Sequence, residues 1–145
     1  MEELSFGVDI PFVQHLGFRL ALFEGGRSRL EFDPRPEHLN SFAVVHGGAV
    51  MTLLDVAMAS AARSVQPQMG VVTIELKSSF MRPSKGALSC HGKLMHRTAT
   101  LAFVEATVMD AQGQPCAHGT GTFKYVRRLA TGARSVHELG VISTD

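Results

Sequence analysis

Apolar positions along this chain follow one period at the start, another in the middle, and the first again to the end. Residues 17–24 and 27–33 are two β-prone runs on either side of Gly25-Gly26. In the second run Arg27, Arg29 and Glu31 alternate with Ser28, Leu30 and Phe32, which gives one wet face and one dry face. Two glycines between such runs predict a tight hairpin with positive φ at both turn positions. Pro34 and Pro36 then end the strand. From 49 to 62 the alternation stops, and every residue is small or apolar except Thr52, Asp55 and Ser60. With Ala, Leu and Met dominant and neither Gly nor Pro inside, the stretch predicts a helix buried on all sides. After a break at 66–70, period two returns over 71–81, 87–96, 100–110 and 115–126. In the first of these Val72, Ile74, Leu76 and Phe80 should share one face, with Thr73, Glu75 and Lys77 on the other. The short connections at 83–86, 96–98 and 110–114 predict an antiparallel meander.

The order is therefore hairpin, long helix, four strands, an α+β arrangement. About six antiparallel strands have one apolar face to cover, and only one substantial helix is present to cover it. The sheet must wrap around that helix, which is the hotdog fold. Residues 1–16, around Pro11, read as a short amphipathic helix or a docking segment. The remainder, 127–145, opens with Arg127-Arg128 and has a weak pattern compatible with partial disorder. One domain of 145 residues, with its core at about 15–126, accounts for the length.

Composition narrows the function mainly by exclusion. A net charge of +1 with 19% charged residues carries no nucleic-acid footprint. The longest apolar stretch contains Asp55 and falls short of a membrane span. Met-Glu-Glu at the start does not resemble a signal peptide, and two cysteines, Cys90 and Cys116, read as buried hydrophobes in a reducing compartment. A cytoplasmic protein is expected. Seven histidines invite a metal reading, but their spacing does not suit zinc, and His91 and His96 fall on opposite faces of a regular strand. No metal is expected.

Chemistry concentrates at the start of the helix, in Asn40, His46-Gly47-Gly48 and Asp55. A helix N-terminus offers unpaired amides and a dipole that favours developing negative charge, and glycines leave the approach open. One carboxylate in an apolar helix is costly unless it is paired, neutralised or used. The plain alternatives are a tight turn into the helix for Gly47 and Gly48, and a loop-bonded or ion-paired Asp55. Asn40 after two prolines suits turn chemistry, and His46 suits a helix cap. For an anionic cofactor-like substrate, Arg82, Lys85 and Arg97 lie in loops between strands, with solvated surface charge as their plain reading.

Asn40, His46-Gly47-Gly48 and Asp55, in this order and element context, resemble the hotdog-fold acyl-CoA thioesterases of the PaaI-like group over about residues 15–126. The resemblance implies an oxyanion amide at Gly47, with Asp55 as nucleophile or general base. It also implies that Asn40 and His46 orient the thioester or the water, and that Thr73 binds the attacking water. It further implies an acyl-CoA substrate, no metal or redox cofactor, and homodimers often paired into homotetramers. Gly48 joins Arg82, Lys85 and Arg97 as an expected contact to coenzyme A. Thioester hydrolysis suits so sparse a site, because a thiolate leaves without a strong general acid. Two other classes stay open: a hotdog hydratase or dehydratase, which would need a histidine beside Asp55, and a non-catalytic acyl-CoA-binding protein. Helix geometry adds a constraint. Gly47 and Asp55 are eight residues apart, about 12 Å along the axis at 1.5 Å per residue. One thioester carbonyl cannot reach both in one chain, so a site that uses both is shared across a dimer.

Overall fold

A computed structural model describes residues 3–127. Its elements are α1 (Pro11–Leu16), β1 (Arg19–Glu24), β2 (Arg27–Phe32), a 3-10 turn (Pro36–His38), α2 (Gly47–Arg63), β3 (Met69–Phe80), β4 (Leu88–Arg97), β5 (Leu101–Met109) and β6 (Pro115–Arg127). The expectation for the tail lies outside the described residues, apart from Arg127.

The first sixteen residues supply a short helix. Pro11 sits in its first turn, Val13 and Leu16 bury its inner face, and Gly17 ends it in the left-handed region at φ 80°. Gly25 and Gly26 both turn with positive φ, 60° and 83°, as the double glycine predicts. Six antiparallel strands form one sheet, ordered β1-β2-β4-β5-β6-β3, and α2 packs against every one of them. This is the hotdog arrangement.

Close packing of helix on sheet depends on small residues. A Cβ placed on Gly92 of β4 would lie 2.5 Å from the Ala57 carbonyl oxygen and 2.4 Å from Ser28 Oγ. Ser28 itself donates to that carbonyl at 2.6 Å, so β2, β4 and the middle of α2 are fastened at one point. Arg63, at the other end of α2, donates to the carbonyls of Phe6 and Met69 and lies over the Phe23 ring.

The structure corrects the sequence reading in four places. First, the meander holds only for β4-β5-β6, because β3 pairs with β6 and β4 pairs with β2. The seven residues 81–87 recross the sheet. They can span about 23 Å, whereas three strand spacings need about 14 Å, so a short connection did not require adjacency. Second, β3 has a bulge. Its register passes from Thr73↔Phe123 to Glu75↔Thr122, which leaves Ile74 as the extra residue. Val71 and Thr73 therefore face inward before it and Leu76 and Phe80 after it, while Ile74 is 56% exposed. Phe80, at the strand end opposite Ala117, is 53% exposed although it lies on the inner side. Third, a similar shift between Leu94 and His96 puts His91 and His96 on the same outer face, with His96 stacked on Phe103. Fourth, α2 is not buried all round within one chain. Leu53, Leu54, Ala57, Met58 and Ala61 are sealed, but Gly48, Met51, Thr52, Asp55 and Ala59 form a stripe that the sheet leaves partly open. The stripe lies beside the free edge of β3.

Candidate active site

The loop that delivers the chain to α2 is a small ladder. His38, buried against Phe32, accepts the Arg35 amide at Nδ1, and its own carbonyl accepts the His46 amide at 2.8 Å. Leu39 bridges Val45, and the Asn40 amide donates to the Val44 carbonyl. At the tip, Asn40 Oδ1 accepts the amides of Phe42 at 2.9 Å and Val44 at 3.3 Å. This is the short-side-chain turn chemistry expected of Asn. Ala43 completes the tip at φ 60°, a region where an L-residue with a Cβ carries strain.

At the helix start His46 is the N-cap. Its backbone is extended, and its Nδ1 accepts the Gly48 amide at 2.8 Å. That contact decides between the two glycines. The Gly48 amide is taken, so it is not one of the unpaired donors expected at the helix start. The ring folds back over Gly48 because only a glycine leaves room, a Cβ there lying 3.0 Å from Nδ1. The amides of Ala49 and Val50 are bonded to the His46 carbonyl. Among the described residues, the first-turn amide left without a partner is that of Gly47.

Gly47 borders a cleft of about 560 Å³ between the loop tip and the end of β3, whose walls include Asn40, Phe42, Phe80, Met81, Arg82 and Lys85. Phe80 ring carbons lie 3.7 Å from where a Gly47 Cβ would sit. The Arg82 guanidinium is held by the Pro115 carbonyl. Both charged residues of the lining are cations.

Asp55 lies two turns further along α2 and does not line this cleft. Its Oδ1 accepts from Thr73 Oγ1 at 2.8 Å, a contact that the inward turn of β3 before its bulge makes possible. Burial holds the Asp55 carboxyl above the usual carboxylate range, and the Thr73 hydroxyl opposes that shift. The structure thus gathers Asn40, Gly47, Arg82 and Lys85 at one place and pairs Asp55 with Thr73 at another. Arg97 joins neither group. It lies over the Tyr125 ring, 4.9 Å from its centroid, and the Tyr125 hydroxyl bonds the Ala62 carbonyl at the far end of α2.

Residues 42–117 match the thioesterase superfamily. The chain belongs to that superfamily. The matched stretch includes Gly47, Asp55 and Thr73 and starts just past Asn40. A protein of Saccharolobus solfataricus named as a proposed esterase is 32% identical over 135 residues, 92% of this chain and 95% of its own. A similarly named protein of Halobacterium salinarum is 34% identical over 136 residues, 85% and 89% of the two chains. Among solved structures, a conserved protein of Pseudomonas aeruginosa superposes with a TM-score of 0.79 at 25% identity, covering 83% of this chain and 97% of that one. The PaaI protein from the phenylacetic acid degradation operon of E. coli superposes at 0.76 with 20% identity, covering 85% and 88%, which speaks to the fold.

Sequence reasoning passed over Phe42, Phe80 and Met81. Phe80 does lie on the inner face of β3, paired with Ala117, and it borders the cleft because its ring packs beside Gly47 at the start of α2. Phe42 did carry a signal, an aromatic residue inside a turn.

Proposed function

Thioester hydrolysis is the activity of the superfamily, and we propose that this thioesterase acts on acyl-CoA at a site shared by two copies of the chain. The observation that carries the reading is the first-turn amide of Gly47, unpartnered among the described residues and bordering a cleft whose charges, Arg82 and Lys85, are both positive. The thioester carbonyl accepts from Gly47 N–H, where the α2 dipole and the fixed donor stabilise the oxyanion as it forms. Asp55 of the partner subunit supplies the carboxylate, either removing a proton from the attacking water or adding to the carbonyl carbon itself. In either case the tetrahedral intermediate collapses by breaking the C–S bond, and in the second the resulting Asp55 anhydride is then hydrolysed by water to the free acid and the carboxylate. The thiolate leaves with the electron pair and is stable near neutral pH, because thiols ionise at about 8.5. Asn40 keeps an amide NH2 at the cleft wall for orienting the thioester, and His46 fixes the turn that frees the Gly47 amide.

Two features support the shared site. Gly47 and Asp55 are separated by about 12 Å of helix. The open stripe on α2 and the twelve-residue free edge of β3 are surfaces that a second copy would cover. The proposal takes the homodimer as the working unit, with pairing into a homotetramer and a cytoplasmic location as further parts of it. Among the described residues no histidine bonds Asp55, which tells against a hydratase.

Thiol release from a panel of acyl-CoAs, read with a thiol-reactive dye, tests the reading. Turnover with thiol release is expected. A hydratase would change the acyl chain without releasing thiol, and a binding protein would retain acyl-CoA unchanged. Arg82→Ala and Lys85→Ala should raise KM more than they lower kcat, and should approach wild type on acyl-pantetheine, which lacks the phosphates.

A further inference from the structure

The tip of the loop before α2 exposes a bare phenyl ring on a rigid mount. Phe42 is 83% exposed, the most of any large apolar side chain among the described residues. Its backbone is nevertheless tightly held. The Phe42 amide donates to Asn40 Oδ1, the Ala43 amide closes the turn on the Asn40 carbonyl, and Ala43 is kept at φ 60°. Strain retained in a turn that displays an exposed aromatic points to use of the ring rather than to accident. Phe42 faces Phe80 and Met81, 53% and 52% exposed, across the cleft that contains Gly47.

The substrate's orientation follows from the cleft, given the acyl-CoA reading on which this inference rests. The carbonyl lies at Gly47 and the anionic end lies toward Arg82 and Lys85. What runs between them is the uncharged pantetheine arm, methylenes interrupted by amides. We propose that Phe42, with Phe80 opposite, forms an aromatic pinch that seats the pantetheine arm and so determines which thiol carriers the enzyme accepts. The pinch is a specificity element on the thiol side of the scissile bond, and it leaves the acyl side to the α2 stripe and the partner subunit. The ring offers face contact to methylenes and amide planes without demanding a hydrogen bond, and its mount removes the cost of ordering it at binding.

Three thioesters of one acyl group test this: the CoA thioester, the pantetheine thioester, and the N-acetylcysteamine thioester, which ends just beyond the first amide of the arm. Phe42→Ala should lower kcat/KM about tenfold on the first two, the value of about 50 Å² of apolar contact at 25 cal/mol per Å². It should stay within about twofold of wild type on the third, and Phe42→Leu should recover most of the loss. Arg82→Ala should discriminate differently, impairing only the CoA thioester. Because the ring is exposed, the variant should melt as wild type does. An equal loss on all three thioesters would overturn the pinch. So would a loss accompanied by a change in assembly mass, which would make Phe42 a subunit contact. A wild-type protein that releases thiol from none of the three would refute the acyl-CoA reading and the pinch with it. A wild type active on all three, with Phe42→Ala unchanged on each, would refute the pinch alone.

Discussion

Thr73→Val tests how the carboxylate is held. Valine keeps the shape and β-branching of threonine, so β3 and its bulge should persist, and only the hydroxyl that donates to Asp55 at 2.8 Å is lost. A hydrogen bond to a charged group contributes roughly 1.5–3 kcal/mol. Asp55 is only part-buried and Thr73 is exposed, so solvent screening places this one near the bottom of that range. The bond favours the ionised form against the burial that raises the Asp55 pKa. Its loss, at about 1.4 kcal/mol per pH unit, should move the acid limb of the kcat/KM profile upward by about one pH unit. The assay is thiol release at subsaturating acyl-CoA across that limb, for wild type and variant. The alkaline plateau gives a second reading. If Thr73 only positions Asp55, the plateau stays within about twofold; if the hydroxyl also holds the attacking water, it falls by about tenfold or more. An acid limb that does not move would refute the view that the Thr73 bond sets the ionisation of Asp55.

Asp55→Asn should remove most of the hydrolysis and raise Tm at neutral pH. Burial raises the folded-state pKa, so the folded chain holds the proton more tightly than the unfolded one; the penalty for charge is absent below the unfolded carboxylate pKa and grows as pH rises through the folded one. The Tm advantage of the Asn variant should therefore shrink on acidification, and a gap independent of pH would contradict this origin. Gly92→Ala places a methyl 2.5 Å from the Ala57 carbonyl oxygen, a backbone atom that cannot move alone. Overpacking of this kind costs about 2–3 kcal/mol, or about 10 °C in Tm for a domain of this size, and an unchanged Tm by scanning calorimetry would count against the contact.

The wrapped sheet was readable because one apolar helix and about six strands have few ways to bury each other. Element bounds also followed from Gly, Pro and period, as the positive φ of Gly25 and Gly26 illustrates. Strand order was not readable, since the 81–87 connection is compatible by length with either neighbour. Nor were the bulges at Ile74 and Met95, which arise from pairing between distant strands and leave no local mark. At the candidate site, the helix start and Asp55 stood out through chemical contrast with their surroundings. The choice of Gly47 over Gly48 came through the resemblance and not from the local residues, because it depends on which way the His46 ring folds. Arg97 shows the limit from the other side, as a cation in a suitable-looking loop that the fold carries to the opposite end of α2.

Subunit mixing tests the shared site most directly. Asp55→Ala removes the carboxylate from one set of chains, and Gly47→Pro removes the amide from the other. Proline suits the first helical position, the preceding His46 already has ψ 135°, and the Gly47 amide has no bond to lose among the described residues. Each variant alone should fold, dimerise and be inactive. In a mixed dimer one site carries both changes and the other carries neither. Equal amounts, dissociated and reassociated at random, should recover about a quarter of wild-type activity. A mixture as inactive as its two parents would place Gly47 and Asp55 in one chain's own site and contradict the account.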